Sequence, residues 1–105
     1  MEEVALVVTT CGSEEEATRL ARTLVEQRLA ACVSYTPIRS TYWWQGAVEE
    51  SREVLLFVKT PRALVKRVFE VIRSLHSYQL PELIALPVAD GDPDYLRWII
   101  EETRG

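Results

Sequence analysis

Two stretches of this chain are apolar almost without a break: "VALVVTT" at residues 4–10, and "VLLFV" within "EVLLFVKT" at 53–60. A strand wetted on one face alternates apolar with polar residues. An unbroken apolar run belongs to a strand covered on both faces. Two further extended stretches carry prolines instead. "CVSYTPIRSTYWWQ" (32–45) contains Pro37, and "LPELIALPV" (80–88) contains Pro81 and Pro87. Proline has no N–H to give to a ladder, so such strands lie at an edge or contain a bulge. The chain therefore encodes two inner strands and two edge strands.

Helical periodicity fills the gaps between them. Ser13 followed by Glu14, Glu15 and Glu16 has the form of an N-cap with a capping box. Ala17, Leu20, Ala21, Leu24, Val25 and Leu29 then recur at helical spacing, predicting a helix over 12–31. Pro61 stands where a first helical turn would begin, and Leu64, Val65, Val68, Val71, Ile72 and Leu75 mark the second helix. "GAV" turns the chain between the second and third strands. Asp90 to Asp94 supply turn and cap chemistry before a short helix, "PDYLRWIIEET" (93–103). The order β-α-β-β-α-β-α predicts an α+β fold: a ferredoxin-like βαββαβ antiparallel sheet with an additional C-terminal helix. Residues 1–105 read as a single domain.

Composition narrows the function. A hydrophobic fraction of 48% supports a real core, and the net charge of −4 comes with no basic stripe, so nucleic acid is not an expected partner. No basic amphipathic helix points to a membrane surface, and no apolar run is long enough to span one. The start "MEEVALVVTTCG" lacks the positive charge and long apolar stretch of a secretory signal, so a cytoplasmic protein is expected. Two cysteines are too few for a disulfide scaffold. With one histidine, no serine in a nucleophile elbow and no Gly-rich phosphate loop, the chain is read as a non-enzyme with no obligatory cofactor.

The expected topology brings three features to the end of the sheet where the first strand finishes: Cys11, "YWWQG" (42–46) and His76. Cys32 and Lys59 belong at the other end, about 20 Å away, so Cys11 and Cys32 cannot pair. Thiolate and imidazole suit copper or zinc, and Glu82 would be a third ligand, or else an ion-pair partner. Two ligands leave a tetrahedral site open, so carboxylates, water or another subunit would have to complete it. The competing reading makes Cys11 a small apolar filler and His76 a helix cap. Alternation sends Tyr42 and Trp44 to one face of the sheet and Trp43 to the other. With Tyr78 they form an oligomer interface, a small-ligand platform, or an aromatic group buried under the chain's own loops. The charge run Glu49, Glu50, Arg52 and Glu53 reads as a solvated face in or after the hairpin turn.

"LVEQRLAACV" (24–33), "TYWWQGAVEESREVLLFVKT" (41–60) and "LHSYQLPELIALPVADGDPDYLRWI" (75–99) together resemble the CutA family of divalent-cation tolerance proteins over nearly the whole chain. The resemblance implies a ferredoxin-like subunit in a tight homotrimer, with long hairpins and edge strands paired between subunits. It also implies a link to divalent metals, chiefly copper, with Cys11 and His76 at the positions of proposed ligands. By architecture it leaves small-ligand sensing open as an alternative. Ser34 stands where the family usually has Asn, and Ser77 replaces the proline that usually follows the loop histidine.

Overall fold

The computed structural model describes residues 2–104. Its elements are β1 (Val4–Cys11), α1 (Glu14–Glu26), β2 (Cys32–Trp44), β3 (Ala47–Pro61), a 3-10 turn (Arg62–Leu64), α2 (Val65–Leu75), β4 (Ile84–Pro87) and α3 (Pro93–Glu102). The sheet has four antiparallel strands in the order β2-β3-β1-β4. The two unbroken apolar runs are the inner strands and the proline-bearing stretches are the edges, as the sequence predicts.

Register fixes which side chains share a face. Val7 pairs with Val58, Thr9 with Leu56 and Cys11 with Val54. These residues meet α1 through Ala17, Leu20 and Leu24, and α2 through Val68, Val71 and Ile72, in the main core. Val8, Leu6, Leu55, Phe57, Ile84 and Leu86 occupy the alternate positions and face the other way. α3 packs with Ile99 and Ile100 against Val4 in a second, small cluster. The rest of that second face carries no helix, and Ile84 and Leu86 remain about half exposed.

Three elements have bounds that differ from the sequence-based expectation. α1 ends at Glu26, not near residue 31. The Leu29 amide donates to the Leu24 carbonyl at 2.9 Å and the Arg28 amide to Val25 at 3.0 Å, with Arg28 at φ 61°. That is a Schellman stop with its apolar contact between Leu24 and Leu29, and an arginine where glycine is usual. β3 begins at Ala47, not at 53. Gln45 and Gly46 both take positive φ, 50° and 83°, the signature of a two-residue type I′ hairpin turn, so pairing resumes at once. The charge run of 49–53 therefore lies within a strand. At Pro37, the edge position satisfies the proline and the β2–β3 register runs through it without a bulge. β4 is only Ile84–Pro87, because residues 80–83 cross the sheet end as a loop.

Near its far end, β3 is clasped to the helix stop. The buried Thr60 hydroxyl donates to the Leu29 carbonyl at 2.7 Å, and the Ala31 amide donates to the Lys59 carbonyl. Thr60→Val keeps the shape and strands the Leu29 carbonyl. It should destabilise the fold by about 1–3 kcal/mol, and Thr60→Ser should recover most of the loss. Urea unfolding at fixed protein concentration measures both; a wild-type midpoint for Thr60→Val would remove the clasp from the account.

Candidate functional site

The chain leaving α2 passes over the end of β1 and carries Tyr78 from the helix-covered face to the open one. A buried carboxylate, Glu16, holds this crossing. The Ser13 hydroxyl accepts from the Glu16 amide at 3.1 Å, so half of the predicted capping box is present. The other half is diverted. Glu16 accepts from the Ser77 amide and hydroxyl, each at 2.9 Å, and from the Gly12 amide at 3.4 Å. Burial alone would raise the Glu16 carboxyl, but the two Ser77 bonds, nearby His76 and the Gly12 amide outweigh it and hold it below the usual range. A proline at 77 could supply neither Ser77 bond.

His76 follows the last turn of α2 with its side chain fully enclosed. Nε2 lies 2.6 Å from the Thr10 carbonyl, and Nδ1 accepts from the Tyr78 amide at 3.0 Å. Nε2 is therefore the donor and both ring nitrogens are engaged. Cys11 is also fully buried, its thiol donating to the Ser13 carbonyl at 3.4 Å. Burial pushes the thiol above its ordinary range, and the Glu16 and Glu53 carboxylates add to this. Neither side chain offers a free donor in this arrangement, and no cluster of three or more His, Cys, Asp or Glu forms a metal cage among the described residues. Glu82 is different: it is exposed and open to solvent. Partial desolvation of its carboxyl, then the neighbouring Glu53, raise its pKa.

The Tyr78 hydroxyl donates to Glu53 at 2.9 Å and lies beside Gly12. Burial, and then this bond, push the phenol far above its ordinary range, so it remains a donor. Between the hairpin and the loop of 78–82 lies a cleft of about 690 Å³. Tyr42 and Trp44 line it from the hairpin, Glu53 and Thr10 from the sheet, and Tyr78 and Glu82 from the loop. Register puts Tyr42 and Trp44 on the open face, opposite Glu49 and Ala47. Trp43 points to the helix side but lies beyond the helices and is 75% exposed.

Sequence reasoning brought Cys11, His76, Tyr78, Glu82 and the aromatic hairpin to one end, and the structure places them there. It missed Glu16, read only as a capping residue, and Glu53, read only as part of a charged surface. The sequence signal for Glu53 was its two-residue spacing from Ser51 and Glu49 in a strand, which sets all three on one face. Cys11 and Cys32 are both free and stand against Val54 and Lys59 of β3, five residues apart, about 17 Å along the strand.

Residues 5–102 match the family model described as CutA1 divalent ion tolerance protein. The divalent-cation tolerance protein CutA of Thermus thermophilus is 48% identical over 104 residues, which span 98% of this chain and 99% of that protein. Protein CutA of Mus musculus is 46% identical over 95% of this chain, which spans only 57% of that longer protein. Among solved structures, the periplasmic divalent cation tolerance protein CutA from Archaeoglobus fulgidus superposes with a TM-score of 0.95 at 37% identity, covering 96% of this chain and 99% of that one. The solved structure of the Thermus thermophilus protein gives 0.91 at 48% identity, covering 99% of this chain and 100% of that one. By fold, by motif and by these matches, the chain belongs to the CutA1 divalent-ion tolerance family.

Proposed function

We propose that this chain works as a homotrimer in divalent-cation tolerance, as a binding protein and not as an enzyme, and that it meets the cation at the cleft end of each subunit. The observation that carries the assembly reading is the aromatic hairpin. Its tip, with Trp43 and Val48 on the face opposite Tyr42 and Trp44, extends past both helices and stays exposed. The subunit measures 45 × 26 × 21 Å, with a radius of gyration of 14.3 Å. A compact chain of this length would give about 13 Å. An apolar sheet face with two open edges adjoins this arm, and such surfaces are stable in water when neighbours cover them. Three is the number of subunits that the family likeness implies.

For the cation, Glu82 is the ligand that solvent can reach, with Glu53 close behind. Cys11 and His76, the soft donors that would favour copper, stay outside this site because the thiol and both ring nitrogens are already engaged. Engaging them requires giving up the Ser13 contact of Cys11 and one of the two hydrogen bonds of His76. A second reading, a trimeric sensor or scaffold for a small molecule, is favoured by the cleft itself, whose size falls within the range of small-molecule sites. The cytoplasm, where unpaired cysteines stay reduced, is the compartment this reading assigns. The name "periplasmic" belongs to the Archaeoglobus relative.

Sedimentation at low micromolar concentration should show one species of about 36 kDa, three chains of 12.0 kDa. Leu86→Asp, on the exposed part of the open face, should yield a smaller species with an unchanged circular dichroism spectrum. A wild-type monomer would end the assembly reading.

A calorimetric copper titration addresses the ligands. Cys11→Ser and His76→Ala should bind within about twofold of wild type, whereas Glu82→Gln should bind at least about fivefold more weakly. Loss of affinity in the first two variants would return Cys11 and His76 to the metal as ligands.

A further inference from the structure

Strand alternation keeps the hairpin arginines off the open face, and Glu50 shares their side. Glu49, Ser51 and Glu53 share the open face with Tyr42 and Trp44, while Arg39 and Arg52 lie opposite one another and project to the other face. The cleft is thus left without a basic residue: Glu53 and Glu82 are its only charged liners. Glu82 has no ion-pair partner among the described residues, and Glu53 is met only by the Tyr78 phenol. Four aromatic residues line the cleft with these two carboxylates, Tyr42, Trp43, Trp44 and Tyr78, and Tyr42 and Trp44, on the open face, are each about 40% exposed.

This lining discriminates between ligands. Two carboxylates with no balancing cation repel an anion. A neutral ligand would leave both charges uncompensated. A bare metal ion would use the carboxylates but gain nothing from indole and phenol faces. A cation with an apolar body uses both, because ring faces attract spread positive charge, Trp most strongly. The net charge of −4 also raises the local concentration of cations around the chain.

We propose that the cleft binds an organic ammonium ion, its charge held by Glu53 and Glu82 and its carbon body resting on Tyr42, Trp44 and Tyr78. The proposal rests on the small-ligand reading of the cleft and names the ligand's chemistry. All the groups it invokes come from one chain.

The test titrates the full chain, with a chelator present, by tryptophan fluorescence and calorimetry. Pentane-1,5-diamine is the probe. Glutarate, a dianion of equal length, and sodium chloride at matched ionic strength are the controls. The diamine should give saturable binding and the controls none. Glu82→Gln, at an exposed position, should weaken the diamine about tenfold. Trp44→Leu should weaken it about fivefold while leaving copper affinity, measured without chelator, unchanged, which separates this site from a simple metal site. Absence of saturable diamine binding, or wild-type affinity in Glu82→Gln, overturns the proposal. Binding of glutarate in its place also overturns it, and leaves a small-ligand cleft of the opposite preference standing.

Discussion

A sheet has two faces; here α1 and α2 clad one of them, while α3 covers only the Val4 end of the other. The rest of the subunit's design follows from that asymmetry. The same alternation that buries Val7, Leu56 and Val58 beneath α1 and α2 must turn Leu55, Phe57 and Leu86 toward water. It also sorts the functional candidates. Cys11 shares the parity of the core and is enclosed, while Tyr42, Trp44 and Glu53 share the parity of the open face and are reachable. Chemistry at the end of β1 is therefore divided into a dry side and a wet side by one residue of register.

Glu16 joins the two sides. It is a buried carboxylate at the start of α1, and its acceptors are filled by backbone and hydroxyl donors from the crossing loop and the end of β1. A buried charge is tolerated when it is hydrogen-bonded to this degree. The crossing in turn sets the Tyr78 ring, whose hydroxyl reaches Glu53 on the far face. The cleft wall is thus positioned from behind by a group that no ligand touches.

The fold was largely legible because its strongest signals were physical. Unbroken apolar runs mark inner strands, prolines avoid central ladders, and Ser13 caps a helix as its neighbours imply. Boundaries were less legible where a local device overrode periodicity. The Schellman stop at Arg28 lacked the glycine that would have announced it, and the hairpin turn at Gln45–Gly46 left no loop for the following charges to occupy. At the site, residue identity revealed proximity but not protonation or enclosure. Cys11 and His76 have the composition of a metal pair, yet their donors are engaged within the chain. That depends on which carbonyls and amides face them, and a sequence does not list these. Ser77 marks the contrast: standing where the family usually has proline, it supplies two of the bonds holding Glu16.

The layout of the sheet also bears on the order in which its parts can come together. β2 and β3 are joined by two residues, so their ladder closes a very small loop and needs nothing from the rest of the chain. β1, in the middle of the sheet, must wait for partners far along the chain: Val4 meets Pro61, and Ala5 meets Pro87. Loop closure makes such pairings slow relative to a hairpin. The aromatic arm can therefore exist as a structured unit before the core that supports it has closed. During synthesis, the exposed aromatic surface of the hairpin is available early, while the strand that organises the body, though made first, is among the last to find its place.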